Sequence, residues 1–138
     1  MRGDATVRSL VAIEAATGIG IILFWIGFFT VGLAPSDPPL GYFTFEHAFP
    51  IPDTMLAMTL LTAAVCVRDP DPGHRELGRL LSLAAAGALI FLGLLDASFN
   101  AQHGIYTLSV FDGVLAAVIN SWCVGAGLAV ILLCRRLA

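Results

Sequence analysis

The chain has 138 residues and a formal net charge of -3; 58% of its residues are hydrophobic and 12% are charged. A soluble domain carries about 25% charged residues, so this composition excludes an ordinary water-soluble fold and indicates a protein solvated mainly by lipid. The small net charge provides no basic surface for a nucleic-acid partner, and the length allows a single domain over residues 1–138.

Four apolar segments predict four membrane-spanning helices, and they cover residues 10–33, 54–67, 80–95 and 113–134. A transmembrane helix needs about 20 predominantly apolar residues, so the first and fourth segments are long enough by themselves. The first contains one charged residue, Glu14, and the other three contain none. The second segment is short enough to be re-entrant, an alternative that the distribution of basic residues argues against.

All seven basic residues are arginines that fall on one side of the membrane if all four segments cross it. They are Arg2, Arg8, Arg68, Arg75, Arg79, Arg135 and Arg136. The loops over residues 34–53 and 96–112 contain no Lys or Arg. Because cytoplasmic loops collect basic residues, we predict an all-α, four-helix transmembrane bundle in a cell membrane, with both termini in the cytoplasm.

Two acidic residues are predicted to lie beneath the outer membrane surface. A helix rises about 1.5 Å per residue, which puts Asp53 and Asp96 about 22 to 25 Å from the arginine-rich edge. The apolar core is about 30 Å thick, so both carboxyl groups and Asn120, at a similar depth, fall inside the hydrocarbon. A polar group at that depth normally faces a cavity or a partner, so we predict a polar pocket in the outer half of the bundle.

The candidate site consists of these residues and the polar residues of the two arginine-free loops. The candidate catalytic residues are Asp96, Asp53, Glu46 and His47, and the candidate substrate-binding residues are Asn120, Asn100, His103, Tyr106, Asp112 and Trp122. With no Lys or Arg nearby, the positive partner is a protonated His, a metal ion or a ligand; alternatively, burial keeps one carboxyl group neutral.

Some of these residues also have structural interpretations. Asp96 is expected near the C-terminal end of a helix, where a negative charge opposes the helix dipole, so helix capping does not explain it. Asp53 follows Pro52 at a helix start and could cap that helix. Asp112 follows Ser109 at capping-box spacing. Asn120 could form a hydrogen bond between helices.

No metal and no cofactor are predicted. Glu46 and His47 are adjacent and could transfer a proton or bind a metal ion, but no motif with two closely spaced histidines supports a metal site. The sequence also has no P-loop, G-x-G-x-x-G, G-x-S-x-G or zincin motif, which disfavours nucleotide-dependent and serine-hydrolase chemistry.

The predicted architecture is similar to that of the emopamil-binding and sigma-2-type sterol proteins, which are compact helical membrane proteins with acidic groups in a lipid-accessible cavity. This resemblance of architecture implies a lipophilic small molecule in contact with membrane lipid. The chain would then be an isomerase, cyclase or epoxide hydrolase, or a non-catalytic binder. In an enzyme, Asp96 would donate a proton, Asp53 or Glu46 would accept one, and Asn120 would orient the substrate.

Two alternatives remain, a small transporter and a non-catalytic accessory subunit. Ala12-Ile13-Glu14 in the first segment resembles the intramembrane glutamate of the small multidrug-resistance transporters, which also have four spans. In that case Glu14 and Asp96 would exchange protons or cations in a homo-oligomer. Alternatively, Glu14 pairs with Arg79 or forms a hydrogen bond across helices.

Small residues recur at a spacing of four along the first and fourth segments. The rows are Ala12, Ala16 and Gly20, and Ala117, Ser121, Gly125 and Ala129. In lipid such rows allow helix backbones to approach closely, so they predict either a tight bundle or a homo-oligomer.

Overall fold

A computed structural model describes the backbone of residues 2–137 and the side chains of residues 4–137, so the Arg2 side chain lies outside the described part. The described residues form five α-helices, α1 to α5, and one 3-10 turn. Their bounds are Arg2–Thr30 for α1, Tyr42–Glu46 for α2, Pro50–Cys66 for α3, Pro72–Gln102 for α4, Ile105–Thr107 for the 3-10 turn and Val110–Arg135 for α5.

The chain is an all-α, four-helix membrane protein, as predicted. Four helical segments are long and apolar enough to cross a bilayer: Asp4–Thr30, Tyr42–Cys66, Pro72–Gln102 and Val110–Arg135. The second of these combines α2 and α3, and this continuation supplies the length that the short apolar segment lacks by itself. The orientation of the bundle, with both termini in the cytoplasm, stays a prediction.

The four long helices pack in a ring, in which α1 contacts α3, α3 contacts α4, α4 contacts α5, and α5 contacts α1. The α1–α5 seam has the sparsest contacts of the four. One end of the ring contains the start of α1, the turn between α3 and α4, and the end of α5. We call it the arginine-rich end, and the opposite end, with α2 and the 3-10 turn, the acidic end.

The helix α4 extends beyond its apolar segment at the arginine-rich end because a polar turn begins it. At the start of α4, the Asp71 carboxylate accepts a hydrogen bond from the His74 backbone N–H at 3.0 Å, and Pro72 occupies the first helical position. A proline there loses no helical hydrogen bond, since the first N–H groups of a helix have no intrahelical partner. The polar turn between α3 and α4 is therefore also the start of α4.

Close helix approach depends on other glycines than those in the predicted rows. A Cβ added at Gly127 would lie 2.8 Å from the Ala86 carbonyl oxygen, and one added at Gly93 would lie 2.8 Å from the Cys123 Cβ. These two positions bring α4 and α5 together. The predicted rows are instead mostly exposed on the outer surface, so their interpretation as the packing face of a tight bundle is wrong. Their use in a homo-oligomer stays a prediction.

The core changes character along the bundle axis. Small and aliphatic side chains, among them Leu10, Val130 and Cys134, fill the arginine-rich end. Aromatic side chains dominate the acidic end, where Trp25, Tyr42 and neighbouring rings pack together. The cavity lies beside these aromatic side chains.

Candidate functional site

A cavity of about 370 Å³ lies inside the ring of helices towards the acidic end. Four carboxyl groups line it: Glu46 from α2, Asp53 from α3, Asp96 from α4 and Asp112 from α5. The described lining contains no Arg, Lys or His. The ion pairs found in the described chain, between Arg79 and Glu76 and between His74 and Asp69, are both at the arginine-rich end. The cavity is therefore acidic and contains no balancing cation from the protein.

Asp53 is held by an indole from the neighbouring helix. Trp25 Nε1 donates a hydrogen bond to Asp53 Oδ2 at 2.9 Å. Asp53 lies in the first turn of α3, but the residue at the N-cap position is Phe49, and no side chain caps this helix. Asp53 therefore does not cap this helix through a side-chain hydrogen bond, although an acid in the first turn suits the helix dipole. The indole fixes the orientation of the carboxyl group and leaves its second oxygen available.

Asp96 is paired along its own helix. Asn100 Nδ2 donates to Asp96 Oδ2 at 3.1 Å, and the Asn100 side chain is buried. Because α4 continues to Gln102 and the two residues are four positions apart, both lie on one face of an unbroken helix. The amide therefore presents the Asp96 carboxyl group to the cavity.

Glu46 brings a third acid close to these two. It is the last residue of α2, and its carboxylate is near enough to Asp53 and Asp96 for their charges to interact. Tyr42, one helical turn earlier, is buried, and its hydroxyl is near enough to Glu46, Asp96 and Asp112 for their charges to act on it. Three helices thus contribute one carboxyl group each to a common region, where like charges repel unless a proton or a cation is shared.

Asp112 has the capping role that the sequence predicted. Ser109 Oγ accepts a hydrogen bond from the Asp112 N–H at 3.0 Å and donates to Asp112 Oδ2 at 2.6 Å. This pair begins α5 and also positions Asp112 at the edge of the cavity. The structural role explains the Ser–Asp spacing without any need for a ligand.

Asn120 contributes a buried acceptor that has no partner among the described residues. Its side chain is 6% exposed, and its Nδ2 donates to the Tyr106 hydroxyl at 2.7 Å. Within the described chain, Oδ1 of the same amide has no hydrogen-bond partner, although it is buried. We had expected Asn120 to bond to another helix. The observed bond runs instead to Tyr106 in the 3-10 turn. An unsatisfied buried acceptor costs about 1 to 3 kcal/mol, so this atom favours a hydrogen-bond donor in the cavity.

The two histidines of the predicted site lie outside the cavity lining. His47 is exposed and packs beside the rings of Phe28, Phe29 and Phe43. His103 is also exposed, and its Nδ1 lies 3.0 Å from the Phe99 carbonyl oxygen. Their catalytic and binding roles stay predictions. Over the described residues, no group of three or more His, Cys, Asp and Glu side chains converges as a metal site would require.

Trp122 lines the cavity and links two helices. Its Nε1 donates to Thr17 Oγ1 at 3.0 Å, across the seam between α5 and α1. The sequence singled out Trp122 but missed Thr17, Trp25 and Tyr42, all of which also line the cavity. Trp25 had a usable signal, because it is as many residues from Arg8 as Asp96 is from Arg79, and so falls at the same depth.

Glu14 lies outside the cavity, one helical turn nearer the arginine-rich end than Thr17. Its side chain is 0% exposed, and neither carboxylate oxygen has a hydrogen-bond partner among the described residues. Arg79, its expected partner, instead makes two hydrogen bonds to Glu76, at 2.7 and 2.9 Å. The predicted ion pair between Glu14 and Arg79 is therefore wrong. Ser82 is close to Glu14, but its hydroxyl donates to the Gly78 carbonyl oxygen.

No protein-family profile, curated protein or solved structure matches the chain. Its function is therefore inferred from the cavity and from the side chains that line it.

Proposed function

We propose that this membrane protein binds a lipophilic small molecule with a basic or otherwise proton-accepting group, and that the carboxyl groups of the cavity exchange protons with it. The observation that carries the proposal is the cavity of about 370 Å³ with four carboxyl groups and no basic side chain in its described lining. A volume of this size is at the lower end of small-molecule sites, which are about 300 to 1,000 Å³.

The lipophilic part of the ligand is inferred from the remaining lining. Apart from the acids and a few polar groups, aromatic and aliphatic side chains such as Phe24, Phe49 and Leu92 form the wall. Binding sites for small molecules are mostly apolar, with a few polar groups that orient the ligand. The surrounding bilayer also concentrates apolar molecules beside the protein.

The polar part of the ligand is inferred from charge and hydrogen bonding. Glu46, Asp53 and Asp96 lie close together, so a cationic group on the ligand would relieve their mutual repulsion. The free acceptor of Asn120 calls for a donor, which a protonated amine or a hydroxyl supplies. An anionic ligand would meet repulsion from every carboxylate of the cavity.

The same arrangement supports acid–base catalysis on an uncharged substrate. In an alkene isomerisation, a neutral Asp96 adds its proton to one alkene carbon. A second carboxylate, from Asp53 or Glu46, then removes a proton from the carbon next to the cation, so the double bond moves and no co-reactant is needed. An apolar pocket favours the neutral acid, while nearby carboxylates stabilise the cation. Cyclisation and epoxide opening begin with the same proton donation.

The test compares three chain-matched probes on the purified protein in lipid nanodiscs: dodecylamine, dodecanol and dodecanoate. We expect saturable binding in the order amine, alcohol, carboxylate, with about tenfold between amine and carboxylate, since 1.4 kcal/mol corresponds to a factor of ten. Asp96→Asn should weaken amine binding and leave alcohol binding nearly unchanged.

The matched control is Asp37→Asn, which changes an exposed acid in the loop at the acidic end and outside the cavity lining. It should leave the binding of all three probes unchanged. Equal affinity for dodecylamine and dodecanoate, or an equal effect of both substitutions, would contradict the proposal.

Proton- or cation-coupled transport is a second candidate, and it is favoured by Glu14. A fully buried carboxyl group without a hydrogen-bond partner in the described chain is a natural site for a proton that binds and leaves. The exposed small-residue rows on α1 and α5 are available to the second copy that a transport pathway through so narrow a bundle requires. In proteoliposomes, this candidate expects a proton flux that Glu14→Gln abolishes, whereas binding alone expects none.

A further inference from the structure

We propose that the ligand enters the acidic cavity sideways from the hydrocarbon of the membrane, through an opening between α1 and α5. This opening is bounded by Ala16 and Gly20 on α1 and by Val118 and Trp122 on α5. The inference rests on the proposed function, because it concerns the route by which a ligand reaches that site. The route implies that the ligand comes from the bilayer.

The exposure of the cavity lining identifies the opening. Most described lining residues are buried or half-buried, as expected for the interior of a bundle. Four are exposed, namely Ala16, Gly20, Val118 and Trp122, the last two at 59% and 50%. All four belong to α1 and α5, so the cavity reaches the surface at the seam between these two helices.

The same seam has the properties that passage requires. Contacts between α1 and α5 are the sparsest in the ring. A Cβ added at Gly20 would meet nothing within 4 Å, so the α1 edge is open space and not a packed contact. The hydrogen bond from Trp122 to Thr17 crosses the seam at its edge nearer the arginine-rich end, where it closes the floor of the opening.

The other directions are covered. Towards the acidic end, the buried side chains of Pro35, Tyr42 and Ile105 lie over the cavity. Towards α3 and α4, an apolar groove of about 580 Å³ runs along the outer face of these helices. The groove shares Phe49, Leu56 and Leu92 with the cavity, and none of these is exposed, so they form a wall between the two spaces.

The depth of the opening points to lipid as the source of the ligand. At about 1.5 Å per residue, Gly20 lies about 18 Å from Arg8, and Trp122 lies about 20 Å from Arg135 along its helix. In an apolar core about 30 Å thick, both positions are level with acyl chains and not with headgroups. A molecule that uses this route must first dissolve in the bilayer.

The experiment measures how fast a terminally brominated undecylamine quenches tryptophan fluorescence in nanodiscs. All variants carry Trp122→Phe, which keeps a ring at the edge of the opening and leaves Trp25 as the one tryptophan, since the sequence has 2. Trp25 is 8% exposed and lines the cavity, so quenching reports bromine inside the cavity and not in the surrounding lipid.

Gly20→Phe narrows the opening and Gly87→Phe is its matched control. Both glycines are exposed, and a Cβ at either would meet nothing within 4 Å, but Gly87 does not line the cavity. We expect Gly20→Phe to slow association and dissociation alike, by about tenfold or more, with little change in Kd, as expected when an entry step and not a contact is obstructed. Gly87→Phe should leave both rates unchanged.

A second pair of variants tests the opposite change in the two rates, and each variant removes only two methyl groups. Val118→Ala widens the opening and should speed both rates, whereas Val114→Ala, an equally exposed valine of α5 outside the lining, should not. If the protein with Trp122→Phe alone shows no saturable quenching, the proposed function itself fails. If quenching is saturable but Gly20→Phe and Val118→Ala leave the rates unchanged, or alter dissociation alone, the route between α1 and α5 is wrong.

Discussion

At the acidic end of the bundle, Asp53 and Asp96 each accept a hydrogen bond, from Trp25 and from Asn100, and border open space. At the arginine-rich end, Glu14 is completely enclosed and has no such donor among the described residues. Burial alone therefore does not distinguish a site from a strained position. A binding site combines acids oriented by neighbours with a volume for a ligand, and only the acidic end has both.

The buried acids at the two ends of the bundle differ in how near an arginine lies to them. Arg79 lies near the Glu14 layer of the bundle, yet it pairs with Glu76 on the outside of α4. The aliphatic core of Leu10, Val130 and Cys134 fills the same end of the bundle. The described lining of the cavity contains no arginine, whereas Glu14 has Arg79 at its own end of the bundle, bonded to Glu76 instead.

The largest effect is expected at Glu14. Glu14→Leu replaces an unpartnered buried carboxyl group with an apolar side chain of similar size, and should raise the free energy of unfolding by about 1 to 3 kcal/mol. Thermal unfolding in detergent measures this change. Glu76→Leu, at an exposed position of α4, is the control and should give no comparable gain. A destabilised Glu14→Leu protein would indicate that the carboxyl group has a partner after all, and would end the contrast between the two ends.

A smaller effect is expected for the indole that orients Asp53. In a double-mutant cycle of Trp25→Phe and Asp53→Ala, the coupling free energy should be about 1 to 1.5 kcal/mol, because a hydrogen bond to a carboxylate is stronger than one between neutral groups. The cycle of Trp122→Phe and Thr17→Val is the reference, since it removes the other indole bond, whose acceptor is a neutral hydroxyl. Equal coupling in the two cycles would mean that Asp53 is not specially held.

The fold was predictable to the level of its four spans because lipid imposes simple requirements on length, apolarity and charge. The sequence could not predict that α2 and α3 together complete the second span, since Glu46 and His47 interrupt its apolar pattern. It also assigned helix packing to the wrong small residues. Small residues at a spacing of four identify a helix face with little side-chain bulk. Gly93 and Gly127 show that the position of the partner helix decides which face packs.

The candidate site was predictable by depth but not by direction. Counting residues from the arginines identified Asp53, Asp96 and Asn120, all of which line one cavity. The same count cannot tell which way a side chain points, so the sequence did not separate His47 and His103, which lie outside that lining, from the acids. Thr17 was missed because its partner Trp122 is 105 residues away, and Tyr42 because Asp96 and Asp112, which lie near it, belong to other helices.

The smallest effect is expected at the start of α5, where a structural role and the cavity meet. Ser109→Ala removes the acceptor for the Asp112 N–H and the donor to its carboxylate, and should lower the free energy of unfolding by about 0.5 kcal/mol, the lower end for loss of an N-cap. Hydrogen exchange should quicken in the first turn of α5. Ser121→Ala, an exposed serine in the middle of the same helix, should change neither quantity. Since the cap also holds Asp112 at the cavity edge, a change in amine binding without a change in helix protection would mean that Ser109 acts on the site directly and not through the helix.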